Sequence, residues 1–226
     1  MESYFIQTLF KLHGNVHIDV QKMNIDMLSL SGHKIYAPKG VGALYVKKGI
    51  EFERFMDGGH QEKNKRAGTE NVAEIVALGK AAQIAEKNLE QYQRKLKNMR
   101  DYCLEKIKME IPNIHINGTM EKRLPGNINI SFENIDSTEL LFKLDEYGIC
   151  ASGGSACSSG DNNPSHVLTA IGVPSELAKG AIRFTFGDFN TKNDVDYLVS
   201  VLKKIGGWGD CTSIPIFIFQ LQQLHI

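Results

Sequence analysis

Ile25-Asp26-Met27-Leu28-Ser29-Leu30-Ser31-Gly32-His33-Lys34 is the stretch on which the fold turns. Its first seven residues alternate in polarity and stop at Gly32, the pattern of a strand running into a loop. On parallel sheets, ligand groups gather at such strand ends. A lysine placed there forms a Schiff base if burial or a neighbouring cation keeps part of its amine deprotonated. Ser31 and His33 beside it have the groups to hydrogen-bond a phosphate. A solvated lysine on a surface turn is the commoner meaning of such a tetrapeptide taken alone.

Outward from this point, Val41-Gly42-Ala43-Leu44-Tyr45-Val46 reads as a second strand, closed by Lys47-Lys48-Gly49. Residues 57–69 form a polar, glycine-rich loop, and Asn71-Val72-Ala73-Glu74 has the form of a helix N-terminus. Helix formers then run to about Met109, with Pro112 as the stop; a helix that long outruns one domain's core, so a domain boundary is expected within it. Further on come a strand at Asn127–Phe132, a helix capped at Ser137-Thr138-Glu139, and a short strand at Cys150-Ala151-Ser152. A helix opened by Pro174-Ser175-Glu176, a strand at Ala181–Phe186 and a last helix capped by Thr191-Lys192-Asn193-Asp194 complete the pattern.

At 226 residues the chain is long enough for one large or two small domains, and 42% hydrophobic with 23% charged residues is an ordinary globular composition. Lys+Arg and Asp+Glu number 26 each, and this zero balance argues against a nucleic-acid partner. No apolar run reaches the roughly 18 residues of a membrane span, and Met1-Glu2-Ser3-Tyr4 lacks a basic secretory start. Four cysteines are too few for a disulfide framework, so a cytoplasmic setting is expected. No cysteine or histidine spacing fits a standard metal site, and no metal is expected.

Three further positions are candidates for chemistry. Cys157 lies in Ser152-Gly153-Gly154-Ser155-Ala156-Cys157-Ser158-Ser159-Gly160, where an exposed thiol on a flexible tether suits a travelling nucleophile; a linker that happens to hold a cysteine is the equal alternative. Arg183 interrupts an apolar strand and calls for a carboxylate, either a ligand's or one of the chain's own. Gly68 and Thr69 offer backbone N–H groups and a hydroxyl to an anion at a helix start. Cys103 and Cys150 read as structural.

In this order these pieces resemble the cysteine desulfurases of the nitrogen-fixation and iron–sulfur-cluster type, pyridoxal 5'-phosphate (PLP) enzymes of the class V aminotransferase family. The resemblance is carried by Asp26–Lys34, Pro38-Lys39-Gly40-Val41-Gly42-Ala43-Leu44-Tyr45 and Arg66-Ala67-Gly68-Thr69-Glu70-Asn71. It continues through Gly154-Ser155-Ala156-Cys157, Pro164-Ser165-His166-Val167-Leu168 and Ile182-Arg183-Phe184, and runs from about Gly14 to about Ile205. It implies an α/β chain of PLP-dependent transferase fold type I. Residues 1–90 would be an incomplete PLP-binding large domain, 91–205 a small α+β domain, and 206–226 an atypical tail. Lys34 would hold PLP through its amine, Ser31 and His33 its phosphate, and Thr69 the phosphate of the other subunit's cofactor in a homodimer. Arg183 would clamp the carboxylate of L-cysteine. Cys157, on a loop of the long, mobile type, would take the sulfur as a persulfide, leave alanine, and pass the sulfur to an iron–sulfur scaffold or other acceptor.

The resemblance has gaps. The family is nearly twice as long, and its first half supplies a glycine-rich phosphate loop, a ring-stacking histidine and an asparagine near the substrate. Just before the stretch matching Gly14 it carries His-x-Asp-Ala-x-Gln, whose acid pairs with the pyridinium nitrogen. Here that place holds Phe5-Ile6-Gln7-Thr8-Leu9-Phe10-Lys11-Leu12. Degenerate codons for this octapeptide, read two bases later, can encode His-Thr-Asp-Ala-Val-Gln-Ala, each shifted codon permitting only a few residues. Residues 1–13 are therefore expected to be out of frame, and the coding DNA tests this. Two rivals stand beside the desulfurase reading: a non-catalytic dimerising or partner-binding fragment, and another class V enzyme such as a selenocysteine lyase.

Overall fold

The computed structural model describes residues 6–8, 15–153 and 165–207. Compactness divides the chain into two units, with the boundary between Gln91 and Tyr92. That boundary falls inside one helix.

The first unit holds a three-stranded sheet in the order β1 (Ile6–Thr8), β2 (Met27–Ser31), β3 (Gly42–Val46). β1 runs parallel to β2, with Gln7 opposite Leu28, and β3 runs antiparallel to it, with Ser31 opposite Gly42. Ile25 and Leu28 bury one face, where Ile18, Val20 and Tyr45 pack. Past the end of β2 the chain enters a 3-10 turn, Gly32–Ile35, closed by Tyr36 in the left-handed region at φ 64°. Ile35 and Ala37 pack on Leu78 and fix this turn against the long helix. α1 (Gln61–Asn64) is a single turn in which Glu62, Lys63 and Asn64 have φ of 49°, 56° and 63°, a left-handed path that explains its polar, loop-like sequence.

α2 (Val72–Glu110) spans 39 residues. Asn71 Oδ1 accepts from the Glu74 N–H at 3.4 Å at its start, as the sequence reading anticipates. Its second half enters the core of the second unit, where Leu96, Cys103 and Ile107 are fully buried. There β4 (Ile114–Ile116), β5 (Asn127–Phe132) and β6 (Ala181–Thr185) form an antiparallel sheet in the order β4-β5-β6. Its inward residues Ile128, Ile130, Phe132, Ile182 and Phe184 meet α2, α3 (Ser137–Glu146) and α6 (Lys192–Gly206). Each such buried side chain contributes roughly 1.5–3 kcal/mol by leaving water. Two short helices, α4 (His166–Ala170) and α5 (Ser175–Lys179), pack through Leu168 and Ala178 onto Ala181.

Two local expectations need correction. The cap of α3 is Asp136, not Ser137: its carboxylate accepts from the N–H groups of Thr138 at 2.8 Å and Glu139 at 3.2 Å. A carboxylate one residue earlier reaches both orphan amides and competes better than a serine hydroxyl. Cys150-Ala151-Ser152 is not a strand; only Ser152 pairs, as an isolated bridge to Arg183. The thiol of Cys150 is half-buried, and burial followed by the Asp145 charge pushes its pKa up. The last helix matches expectation. Thr191 and Asp194 form a reciprocal capping box, with the Thr191 N–H donating to Asp194 Oδ2 at 2.8 Å.

Candidate active site

The end of β2 places Ser31, His33 and Lys34 within one turn. The backbone there is pinned from both sides: Gly32 N–H donates to Val41 O at 2.8 Å, and Ala37 N–H to Gly32 O at 3.1 Å. Gly32 is buried, and a Cβ on it would lie 2.8 Å from Val41 O and 3.1 Å from Ala37 Cβ. Only glycine lets the two strands' extensions approach this closely.

Ser31 Oγ and His33 Nδ1 are hydrogen-bonded at 2.9 Å. Burial, then the charges of Lys34 and Lys39, hold the imidazole below its ordinary pKa. Both effects favour the neutral ring; in the tautomer whose Nδ1 accepts the Ser31 hydroxyl proton, the ring hydrogen sits on Nε2 as a donor. Lys34 is exposed on the same 3-10 turn.

A cavity of about 410 Å³ opens beside this pair, lined by Leu30, Ser31, His33, Lys39 and the segment Gly40–Gly42. A hydroxyl, an imidazole, an ammonium and glycine backbone are the donors a phosphate takes. The lining groups Ser31, His33 and Lys39 thus fit a phosphate such as that of PLP, and Lys34, on the same turn but outside the lining, has the amine an aldehyde would take. Lys39 reaches this lining through the hairpin: pairing Ser31 with Gly42 folds residues 39–41 back alongside 32–34.

The other candidates are separate. Thr69 is exposed on the loop leading into α2. Arg183 belongs to the second unit, on β6, half-buried between the buried Ile182 and Phe184, and burial lowers its pKa. Asn129 stands opposite it on β5. Its backbone makes both bonds of the Ser152 bridge, donating to Ser152 O at 2.6 Å and accepting from Ser152 N–H at 3.2 Å. Arg183 thereby anchors the segment that leads into the Cys157 loop. Cys157 itself lies outside the described residues, as do residues 1–5, 9–14 and the tail from 208. Among the described residues, no helix is long and apolar enough to cross a membrane.

A lysine one turn past a strand end, beside a serine–histidine anion cradle, is the arrangement expected of a PLP-dependent transferase. The chain belongs to the Aminotransferase class-V family, whose pattern matches residues 11–198. It is 48% identical over 204 residues to the cysteine desulfurase IscS of Clostridium botulinum, covering 89% of this chain and 51% of that protein. To the IscS of Dictyoglomus turgidum it is 45% identical, again over 89% of this chain and 51% of that protein. A solved NifS-like protein superposes with a TM-score of 0.82 at 31% identity, covering 91% of this chain and 53% of that one. The chain thus spans about half the length of the curated relatives it matches, and its fold is an incomplete version of the mixed α/β fold of these PLP-dependent enzymes.

Proposed function

We propose that this chain carries the lysine-bearing part of a cysteine desulfurase, acting on L-cysteine and giving L-alanine and a persulfide. The observation that carries the reading is the Ser31–His33 hydrogen bond at 2.9 Å, on the same turn as Lys34, beside a cavity lined by groups that suit a phosphate. Ser31 and His33 would hold the phosphate of PLP, and Lys34 would hold its aldehyde carbon through the side-chain amine. PLP supplies the electron sink that makes bonds at the amino acid's Cα and Cβ labile. Thr69 reaches the phosphate held by the partner copy of a homodimer. Arg183 orients the substrate by a bidentate pairing with its carboxylate.

Cys157 does the sulfur chemistry. Its thiolate attacks the substrate Sγ, forming an S–S bond as the Cβ–Sγ bond breaks. The electron pair of that bond stays on Cβ, which takes a proton and becomes the methyl group of alanine. The terminal sulfur of the persulfide then passes to an acceptor thiol, such as that of an iron–sulfur scaffold protein. In this reading residues 1–90 carry the cofactor-binding groups, and 91–205 carry Arg183 and Cys157.

The test is alanine and sulfide release from L-cysteine by the full chain with PLP and a thiol reductant. The reading expects activity in the unaltered chain. It expects background release after Lys34→Ala or Cys157→Ser, and a raised KM after Arg183→Lys, since a bidentate fork becomes a point charge. Cofactor binding with no alanine release would favour the non-catalytic reading. Release undiminished by Cys157→Ser would contradict the persulfide step.

A further inference from the structure

The lysine that lines the phosphate cavity is not Lys34. Lys34 is exposed and absent from the cavity wall, whereas Lys39 is half-buried and forms part of it with Ser31 and His33. Lys39 is also near enough for its charge to act on the His33 ring. Lys47 and Lys48, at the far end of β3, are exposed and do not line the cavity. The position of Lys39 follows from local structure. Pro38 fixes the φ angle ahead of it, Gly40 turns the chain at φ 92°, and the Gly32–Val41 hydrogen bond of 2.8 Å holds the returning strand beside the turn.

Charge explains why a third group is useful there. A phosphate ester near pH 7 carries close to two negative charges, and a serine hydroxyl with a neutral imidazole supplies donors but no positive charge. Glu74 adds to the need: its carboxylate lies near Gly40, where a Cβ would stand 3.6 Å from Oε2. We propose that Lys39 is a further phosphate-binding residue of the PLP site, bringing an ammonium to the cavity wall that Ser31 and His33 share. The inference rests on the PLP reading above and adds a residue to it.

The experiment titrates the full chain with PLP and, separately, with pyridoxal, which has the same aldehyde and ring but no phosphate. Binding is followed by the visible absorption of the lysine-bound form. The unaltered chain is expected to prefer PLP by tenfold or more. Lys39→Gln should weaken PLP about tenfold, leave pyridoxal within about twofold, and flatten the dependence of PLP affinity on salt; Lys39→Arg should recover most of the loss. Unchanged pyridoxal binding is the internal control for folding. If Lys39→Gln weakens both ligands equally, or neither, the assignment of Lys39 is overturned while the cofactor reading stands. If the unaltered chain fails to distinguish PLP from pyridoxal, the cofactor reading falls and Lys39 with it.

Discussion

His33 is the residue whose protonation the site depends on. Its burial and the charges of Lys34 and Lys39 favour the neutral ring, so its folded-state pKa lies below the ordinary 6.5. The unfolded chain therefore binds the proton more readily. The stability contributed by the neutral ring is present above 6.5 and is lost as pH falls through the lower folded value. A histidine NMR titration should place the His33 midpoint below that of a free imidazole, and Lys39→Gln should move it upward. A midpoint at or above 6.5 in the unaltered chain contradicts the described surroundings. Cys103 offers a second check at this scale. It is fully buried, and burial pushes its thiol up to about 12. Iodoacetamide at pH 8 should leave it unlabelled in the native protein and label it in urea. Such a thiol cannot serve as the sulfur nucleophile.

At the scale of elements, the β2–β3 hairpin builds the cradle. Gly32→Ala would drive a Cβ to 2.8 Å from Val41 O, and either the turn or β3 must shift. PLP affinity should fall about tenfold or more, with the unfolding midpoint lowered by a clash worth roughly 1–3 kcal/mol. Unchanged affinity would show that the hairpin does not position Ser31 and His33. β5, β6 and the long helix were legible through apolar residues that pack on one core, as Ile128, Ile130 and Phe132 show on β5, whereas β3, which has no buried residue, was legible from its β-forming residues bounded by glycine. β4 was not, since Ile114–Ile116 alternates over only three residues. The strand expected at Cys150 failed for the opposite reason: a short apolar run there needs only one bridge, at Ser152. Ser31, His33 and Lys34 stand out as candidates in the sequence because they are adjacent. Lys39 comes to line one cavity with Ser31 and His33 only through strand register, which composition does not reveal.

At the scale of the molecule, α2 is tied to α6 by charge as well as by packing. Tyr102 Oη donates to Asp196 Oδ1 at 2.7 Å, Lys106 pairs with the same oxygen at 2.8 Å, and Lys203 pairs with Glu110 at 3.0 Å. Hydrogen bonds from Lys106 and then Tyr102 lower the Asp196 pKa, and that from Lys203 lowers that of Glu110. Both carboxylates thus favour folding above their ordinary values of 3.8 and 4.5, and that stability is lost as pH falls through the lower folded values. Urea midpoints of the full chain should fall further as pH drops below about 4.5, beyond any loss from His33 at higher pH, and Asp196→Asn should shrink that lower-pH drop. A midpoint that rises on acidification contradicts this network.

The central claim is that the cradle at the end of β2 binds PLP through Lys34. The most direct measurement adds PLP to the purified full chain, reduces with borohydride, and maps the modified lysine by mass spectrometry. The account predicts a visible band that borohydride bleaches, with one phosphopyridoxyl group on Lys34. No band, or label spread over exposed lysines such as Lys47 and Lys48 with Lys34 unmodified, would contradict it.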